Sequence, residues 1–220
     1  MLASKCEVSA MSTLLKIDSS PRGDASVSRQ LTAAFADRWL KHHPDARIIE
    51  RDLYGASPLP LVDVNWIGAA YTPPAARTPE QNQTLAVSET LIQELQAADE
   101  YVFGVPMYNF SIPAAFKSWI DQVVRAGRTF SYTSGGSVEG LIKGKKATVI
   151  ISSGGVYQPD TPLAVMDFVI PYLRTILGFI GITNVEFIAA DGLSKVMQGQ
   201  VPLDQHIAPT LERVLAHASV

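Results

Sequence analysis

The sequence predicts a three-layer α/β/α sandwich built on one five-stranded parallel sheet. Two observations carry this expectation. Five short strand-like segments alternate with helical ones along the chain, which implies right-handed crossovers and a sheet covered on both faces. The 220 residues are 47% hydrophobic and 18% charged, enough apolar material for one large core and too little charge for a disordered chain. No internal repeat, low-complexity tract or linker divides residues 11–220, which read as a single domain.

The elements follow in order. Leu14 to Asp18 reads as a short buried strand, followed by a polar loop from Ser19 to Ser26. Val27, Leu31, Ala34, Phe35 and Trp39 then recur at helical spacing, and Pro44 stops that helix just after His42 and His43. Arg47 to Leu53 is the second strand. A proline- and aromatic-rich segment, Tyr54 to Arg77, follows, with Trp66 and Tyr71 readable as a lid, an interface or ordinary packing. Thr78-Pro79-Glu80-Gln81 has the form of a capped helix start, and the helix is expected to run to about Ala98. Glu100 to Val105 is the third strand and Ile112 to Ala126 the next helix. Arg128 to Lys145 contains Gly135, Gly136 and Gly144 and reads as a hairpin-like excursion. Ala147 to Ser152 is the fourth strand. Leu163 to Phe179 is expected as a helix kinked at Pro171, Val185 to Ala189 as the fifth strand, and Leu203 to Ala218 as the last helix.

Composition excludes several function classes. A net charge of -3, from 18 basic and 21 acidic residues, provides no basic field for nucleic acid or anionic lipid. One cysteine, Cys6, cannot form an internal disulfide or a cysteine-based metal site. No apolar run approaches the roughly 18–20 residues of a membrane span. Met1 to Ala10 lacks the apolar region of a secretory signal and is expected to be a disordered extension, with the protein working in the cytoplasm.

In parallel sheets ligands bind beyond the carboxyl ends of the strands, where the strand order reverses. Three loops fall there. Ser19 to Ser28 offers four serines, Ser19, Ser20, Ser26 and Ser28, and the helix start at Val27, which together suit a phosphate. The competing reading is simple helix capping by Ser26 or Ser28. The loop is neither G-x-G-x-x-G nor a Walker A sequence. Pro106 to Pro113 sets Met107, Tyr108, Asn109 and Phe110 between two prolines, an apolar face with one carboxamide that suits a flat heteroaromatic ring, or a plain packed turn. Ser152, Ser153, Gly154 and Gly155 would let backbone N–H groups approach a ligand, or form a tight turn. Together the three describe a mononucleotide site with a flat ring, which points to FMN.

These segments, with Phe116-Lys117, Trp119-Ile120-Asp121 and Gly178 to Gly181, resemble the bacterial FMN-dependent NADH azoreductases, which are also quinone reductases. The resemblance spans nearly all of the chain from Met11. It implies a flavodoxin-like fold, a homodimer with FMN at the subunit interface, and NADH or NADPH as donor. It also implies ping-pong reduction of quinones by two electrons and cleavage of azo compounds to amines. Carried over, Ser20 and Ser26 to Ser28 hold the phosphate, Met107 to Phe110 line the ring, and Ser152 to Gly155 contact its pyrimidine side. Tyr132 and Phe179 shape the substrate pocket. The chemistry is centred on the flavin, so no side-chain acid or base and no metal is expected.

The remaining polar residues read more plainly. His42 and His43 end a helix, where cations are favoured, His206 and His217 are not spaced for one metal, and Lys143, Lys145 and Lys146 read as a solvated hairpin end rather than as a site for the 2′-phosphate of NADPH. The competing functions are a flavodoxin-type electron carrier and an NAD(P)H:FMN reductase.

Overall fold

The computed structural model describes residues 11–55 and 57–219, so the expectations for Met1 to Ala10, Cys6 included, lie outside the described residues. In chain order the elements are β1 (Thr13–Asp18), α1 (Val27–His42), β2 (Arg47–Asp52), α2 (Val64–Tyr71), α3 (Pro79–Thr84), α4 (Ala86–Ala97), β3 (Glu100–Pro106), α5 (Ala114–Val123), β4 (Phe130–Tyr132), β5 (Val138–Gly140), β6 (Lys146–Ser152), α6 (Ile170–Ile180), β7 (Asn184–Ala190), α7 (Ser194–Met197) and α8 (Leu203–His217).

Five strands form one parallel sheet in the order β2-β1-β3-β6-β7. The short strands β4 and β5 pair antiparallel, as the hairpin-like excursion predicts. Alternation along each strand sends its residues to two cores. Leu15, Ile17, Tyr101, Phe103, Val105, Val149 and Ile151 face the layer of α4, α5 and α6. Leu14, Val102, Ile150 and Ile188 face Leu31, Phe35 and Trp39 of α1 and Val214 of α8. The central strands β3 and β6 are apolar on both faces, so nearly every residue in them is buried. Among the described residues no helix is long and apolar enough to cross a membrane.

Three expectations change. The long helix from Thr78 is two pieces: the Thr78 capping box starts α3 as expected, but Leu85 interrupts it before α4. Leu85 is buried against Trp66 and Ala69, so packing fixes the break where sequence periodicity shows none. The helix expected from Leu163 starts instead at Ile170, after a short 3-10 turn at Ala164–Met166. Pro171 therefore lies in the first turn, where its missing N–H breaks no bond, and does not kink the helix. The Tyr54 to Arg77 segment contains α2, capped by Asp63, whose carboxylate accepts from the Trp66 amide at 2.8 Å.

A buried polar chain seats α2 on the domain. Trp66 Nε1 donates to Gln122 Oε1 at 2.9 Å, and Gln122 Nε2 to the Pro60 carbonyl at 2.9 Å. Ser88 Oγ donates to the Gln122 carbonyl at 2.6 Å and accepts from Arg125 Nη1 at 2.9 Å. Trp66 is thus a packing residue, whereas Tyr71 in the same helix is exposed.

Candidate functional site

The chain leaves β1 for β2 on one side, then returns to place β3 on the other side of β1. This reversal opens a crevice at the carboxyl ends of β1 and β3, and the three predicted loops converge on it. They enclose a groove of about 250 Å³.

The first wall is the loop from β1 to α1. Ser19 anchors it: its amide and its Oγ both donate to the Gly104 carbonyl, at 3.1 and 2.7 Å. Ser26 caps α1, accepting from the Arg29 amide at 3.4 Å, and its Oγ lies 3.1 Å from Ser28 Oγ. The hydroxyls of Ser20, Ser26 and Ser28 belong to buried residues. The amides of Val27 and Ser28 open the helix and have no intrahelical acceptor, so they and the helix dipole favour an anion there. Arg22 lines the same wall, and among the described residues it has no carboxylate partner.

The second wall is a tight turn. Tyr108 and Ser111 exchange backbone hydrogen bonds at 3.0 and 3.1 Å, which forces the two residues between them to reverse the chain. Asn109 and Phe110 both take positive φ, 49° and 70°. A hairpin turn of this kind usually carries Asn-Gly, and phenylalanine in the second place is strained. The turn is held from outside as well, because the Phe110 carbonyl accepts from the Phe168 amide at 3.1 Å. Among the described residues the amides of Asn109 and Phe110 donate to no protein group.

The third wall shows how a glycine loop comes to face a ligand with its amides. The carbonyls of Ser153, Gly154 and Gly155 accept from Leu193, Ser194 and Gly192 at 3.0, 3.1 and 2.9 Å. Ser153 Oγ also donates to the Gly155 carbonyl at 2.9 Å. The oxygens are turned toward the start of α7, and the amides of Gly154 and Gly155 have no acceptor among the described residues. Gly155 is also required sterically: a Cβ there would meet the Tyr157 ring at 3.0 Å and Leu163 at 3.1 Å.

Most of the predicted residues come together. Ser20, Ser26, Val27, Met107, Tyr108, Ser152, Ser153 and Gly154 line the groove directly. Ser28, Asn109, Phe110 and Gly155 belong to its walls without lining it. Tyr132 and Phe179 do not join them. They flank Phe130 in a separate aromatic cluster, at 5.6 and 4.7 Å between ring centroids, away from the groove of their own chain. The lysine cluster sits at the other end of the sheet, where Lys143 pairs with Glu139 and Lys145 lies 3.6 Å from Asp99.

Sequence reading missed Arg22, Leu193 and Met197 in the groove. The same rule that selected the other loops would have found Leu193 and Met197, since they follow the fifth strand at the same sheet edge. A second, more apolar hollow of about 190 Å³ shares Met107 and Ser153 with the groove and is lined by Tyr157 and Ile170.

No aspartate or glutamate among the described residues lines the groove, and one unpaired arginine does. Buried hydroxyls and two helix-start amides lie at one end, and open glycine amides and an apolar strip at the other. Those residues fit a phosphorylated flat ring such as FMN.

Known proteins similar to this chain agree. A family model described as a flavodoxin-like fold matches residues 12–216. An FMN-dependent NADH:quinone oxidoreductase of Acidobacterium capsulatum is 51% identical over 204 residues, covering 93% of this chain and 98% of that protein. FMN-dependent NADH:quinone oxidoreductase 3 of Burkholderia lata is 46% identical, covering 94% and 99%. Among solved structures, an azoreductase from Bacillus anthracis matches with a TM-score of 0.84 at 31% identity, covering 95% of this chain and 99% of that one. An FMN-dependent NADH-azoreductase from the same species, solved in complex with FMN, matches with a TM-score of 0.82 at 26% identity, covering 95% and 98%. With relatives this similar over almost their whole length, the chain belongs to the flavodoxin-like family of FMN-dependent NADH:quinone oxidoreductases and azoreductases.

Proposed function

We propose that this protein uses FMN to pass two electrons from NADH or NADPH to quinones, and that it also cleaves aromatic azo compounds to amines. The observation that carries this reading is the convergence of three differently built walls on one groove at the sheet's switch point. FMN, when bound, supplies the two-electron chemistry between a nicotinamide donor and the acceptor. The protein supplies position and electrostatics.

Ser20 and Ser26, with the Val27 and Ser28 amides, bind the phosphate, and Arg22 balances its charge. Met107 and Tyr108 provide the surface on which the ring lies, and the exposed rings of Phe110 and Phe168 border the space left for donor and acceptor. Asn109 presents its amide to the ring edge. The N–H groups of Gly154 and Gly155 donate to the pyrimidine side, where negative charge is favoured by fixed dipoles that need no reorganisation. Donor and acceptor use this space in turn, giving ping-pong kinetics.

The working form is a homodimer in the cytoplasm. Tyr132 and Phe179 then serve the groove of the partner subunit, which accounts for their distance from their own.

The test is direct. The purified protein, reconstituted with FMN, should oxidise NADH in proportion to added benzoquinone, with parallel double-reciprocal lines. It should bleach an azo dye more slowly under argon. Retention of FMN without NADH–quinone turnover would overturn the enzymatic reading in favour of an electron carrier.

A further inference from the structure

Arg29 occupies an unexpected place for a cation. It is the third residue of α1, inside the turn whose amides favour an anion, where a positive side chain is disfavoured by the helix dipole. Its guanidinium does not point at the groove. Nε and Nη2 donate to the Ser20 carbonyl at 2.9 and 2.6 Å, and Nη1 donates to Asp52 Oδ2 at 3.0 Å. Nη2 also bonds Asp52 Oδ1, which completes a forked ion pair.

Asp52 ends β2 and is itself fixed by the Tyr54 amide, which donates to Oδ1 at 2.9 Å. Partial burial works against its charge, but the hydrogen bonds from Arg29 and the Tyr54 amide outweigh that and hold its carboxyl below the usual carboxylate range. Asp52 is therefore an anion at neutral pH, one guanidinium away from Ser20.

The peptide this pair grips is Ser20–Pro21. Proline has no N–H, so the hydrogen bonds that hold that peptide can be made only through its carbonyl oxygen. Ser20 lines the groove, so any tilt of its carbonyl toward the groove would set a negative dipole end against a bound phosphate.

We propose that Arg29 and Asp52 form a clamp that sets the phosphate subsite by drawing the Ser20 carbonyl away from it. Arg29 is a positioning residue: it acts through Ser20 and does not contact the phosphate. It also neutralises Asp52, whose charge would otherwise repel that group. The clamp thus tunes how strongly the protein prefers a phosphorylated flavin over an unphosphorylated one. This inference rests on the FMN reading.

The test compares two ligands that differ only in the phosphate. The full chain, stripped of flavin, is titrated with FMN and with riboflavin by fluorescence quenching, as wild type, Arg29→Gln, Arg29→Lys, Asp52→Asn and the double variant Arg29→Gln/Asp52→Asn. The wild type should favour FMN strongly. Arg29→Gln should weaken FMN by about tenfold or more and riboflavin by less than about threefold. Arg29→Lys, which keeps the charge but not the fork, should fall between. Removing the Asp52 charge in the double variant should recover part of the FMN loss. Equal losses for the two flavins, or an unchanged preference in both Arg29 variants, would overturn the clamp while leaving the FMN reading intact. A wild type that binds FMN no better than riboflavin would overturn the phosphate subsite and the clamp with it.

Discussion

Gly104 on β3 lies directly against the Asp18 carboxylate on β1: a Cβ at position 104 would fall 2.9 Å from Asp18 Oδ1 and 3.0 Å from Thr32 Cγ2. Both neighbours are buried and bonded to each other, Thr32 Oγ1 donating to Asp18 Oδ1 at 2.7 Å, so neither can retreat cheaply. The carbonyl of Gly104 also holds both hydrogen bonds from Ser19. Gly104→Ala should therefore cost about 1–3 kcal/mol, seen as a lower midpoint in urea. It should also weaken FMN binding, because the displaced strand carries the first wall of the groove. A midpoint unchanged from wild type would show that β1 and β3 can separate without cost.

The turn at Asn109 and Phe110 yields a prediction about backbone strain alone. Phe110→Ala and Phe110→Gly both remove the ring, but only glycine is at ease with a φ of 70°. The glycine variant should be the more stable of the two by about 1 kcal/mol. Denaturation of both flavin-free variants measures the difference directly. An alanine variant as stable as the glycine one would mean the turn relaxes when the ring is gone.

The strands and the three loops were legible in the sequence because their signals are local. Buried strands hold apolar runs such as Val149 to Ile151, and the loops are named by following a strand. Pro171 was misread because a proline in a first turn and one in a kink differ only in where the helix starts, which the 3-10 turn before Ile170 decides. Leu85 breaks a helix through contact with Trp66, and nothing within the helix announces that. Nothing in the local sequence reveals what Arg29 bonds to, since its partner Asp52 is 23 residues away. The strain at Phe110 was hidden for the opposite reason: no glycine marks the turn.

Acid sensitivity should come from Glu89. Partial burial raises its proton affinity, but hydrogen bonds from Arg128 and Arg125 outweigh this and hold its carboxyl below its ordinary value of 4.5. A carboxyl lowered in the folded state adds stability above that ordinary value, and the gain is lost as pH falls through the folded one. Arg125 is itself buried, with Nη1 2.8 Å from Glu89 Oε1. Glu89→Gln should therefore cost about 2 kcal/mol at pH 7, less than a fully buried pair would, because the carboxylate is partly exposed. The gap between variant and wild type should narrow as pH drops below about 4.5. A gap that stays constant from pH 7 to pH 3 would exclude the ion pair as its source.

Neighbouring glycines in the third wall should respond in opposite ways. A Cβ on Gly154 would meet nothing nearer than Met197 Cε at 3.8 Å, whereas one on Gly155 would press on the Tyr157 ring at 3.0 Å. Gly154 lines the groove and Gly155 packs behind it. Gly154→Val should therefore leave the flavin-free protein within about 0.5 kcal/mol of wild type while abolishing retention of FMN on gel filtration, because the added side chain takes ring space. Gly155→Ala should destabilise the flavin-free protein by about 1 kcal/mol or more and weaken FMN only through the displaced loop. The pair separates binding from folding at adjacent positions. Normal FMN retention by Gly154→Val would mean that the ring lies elsewhere in the groove, and that the glycine amides do not face it.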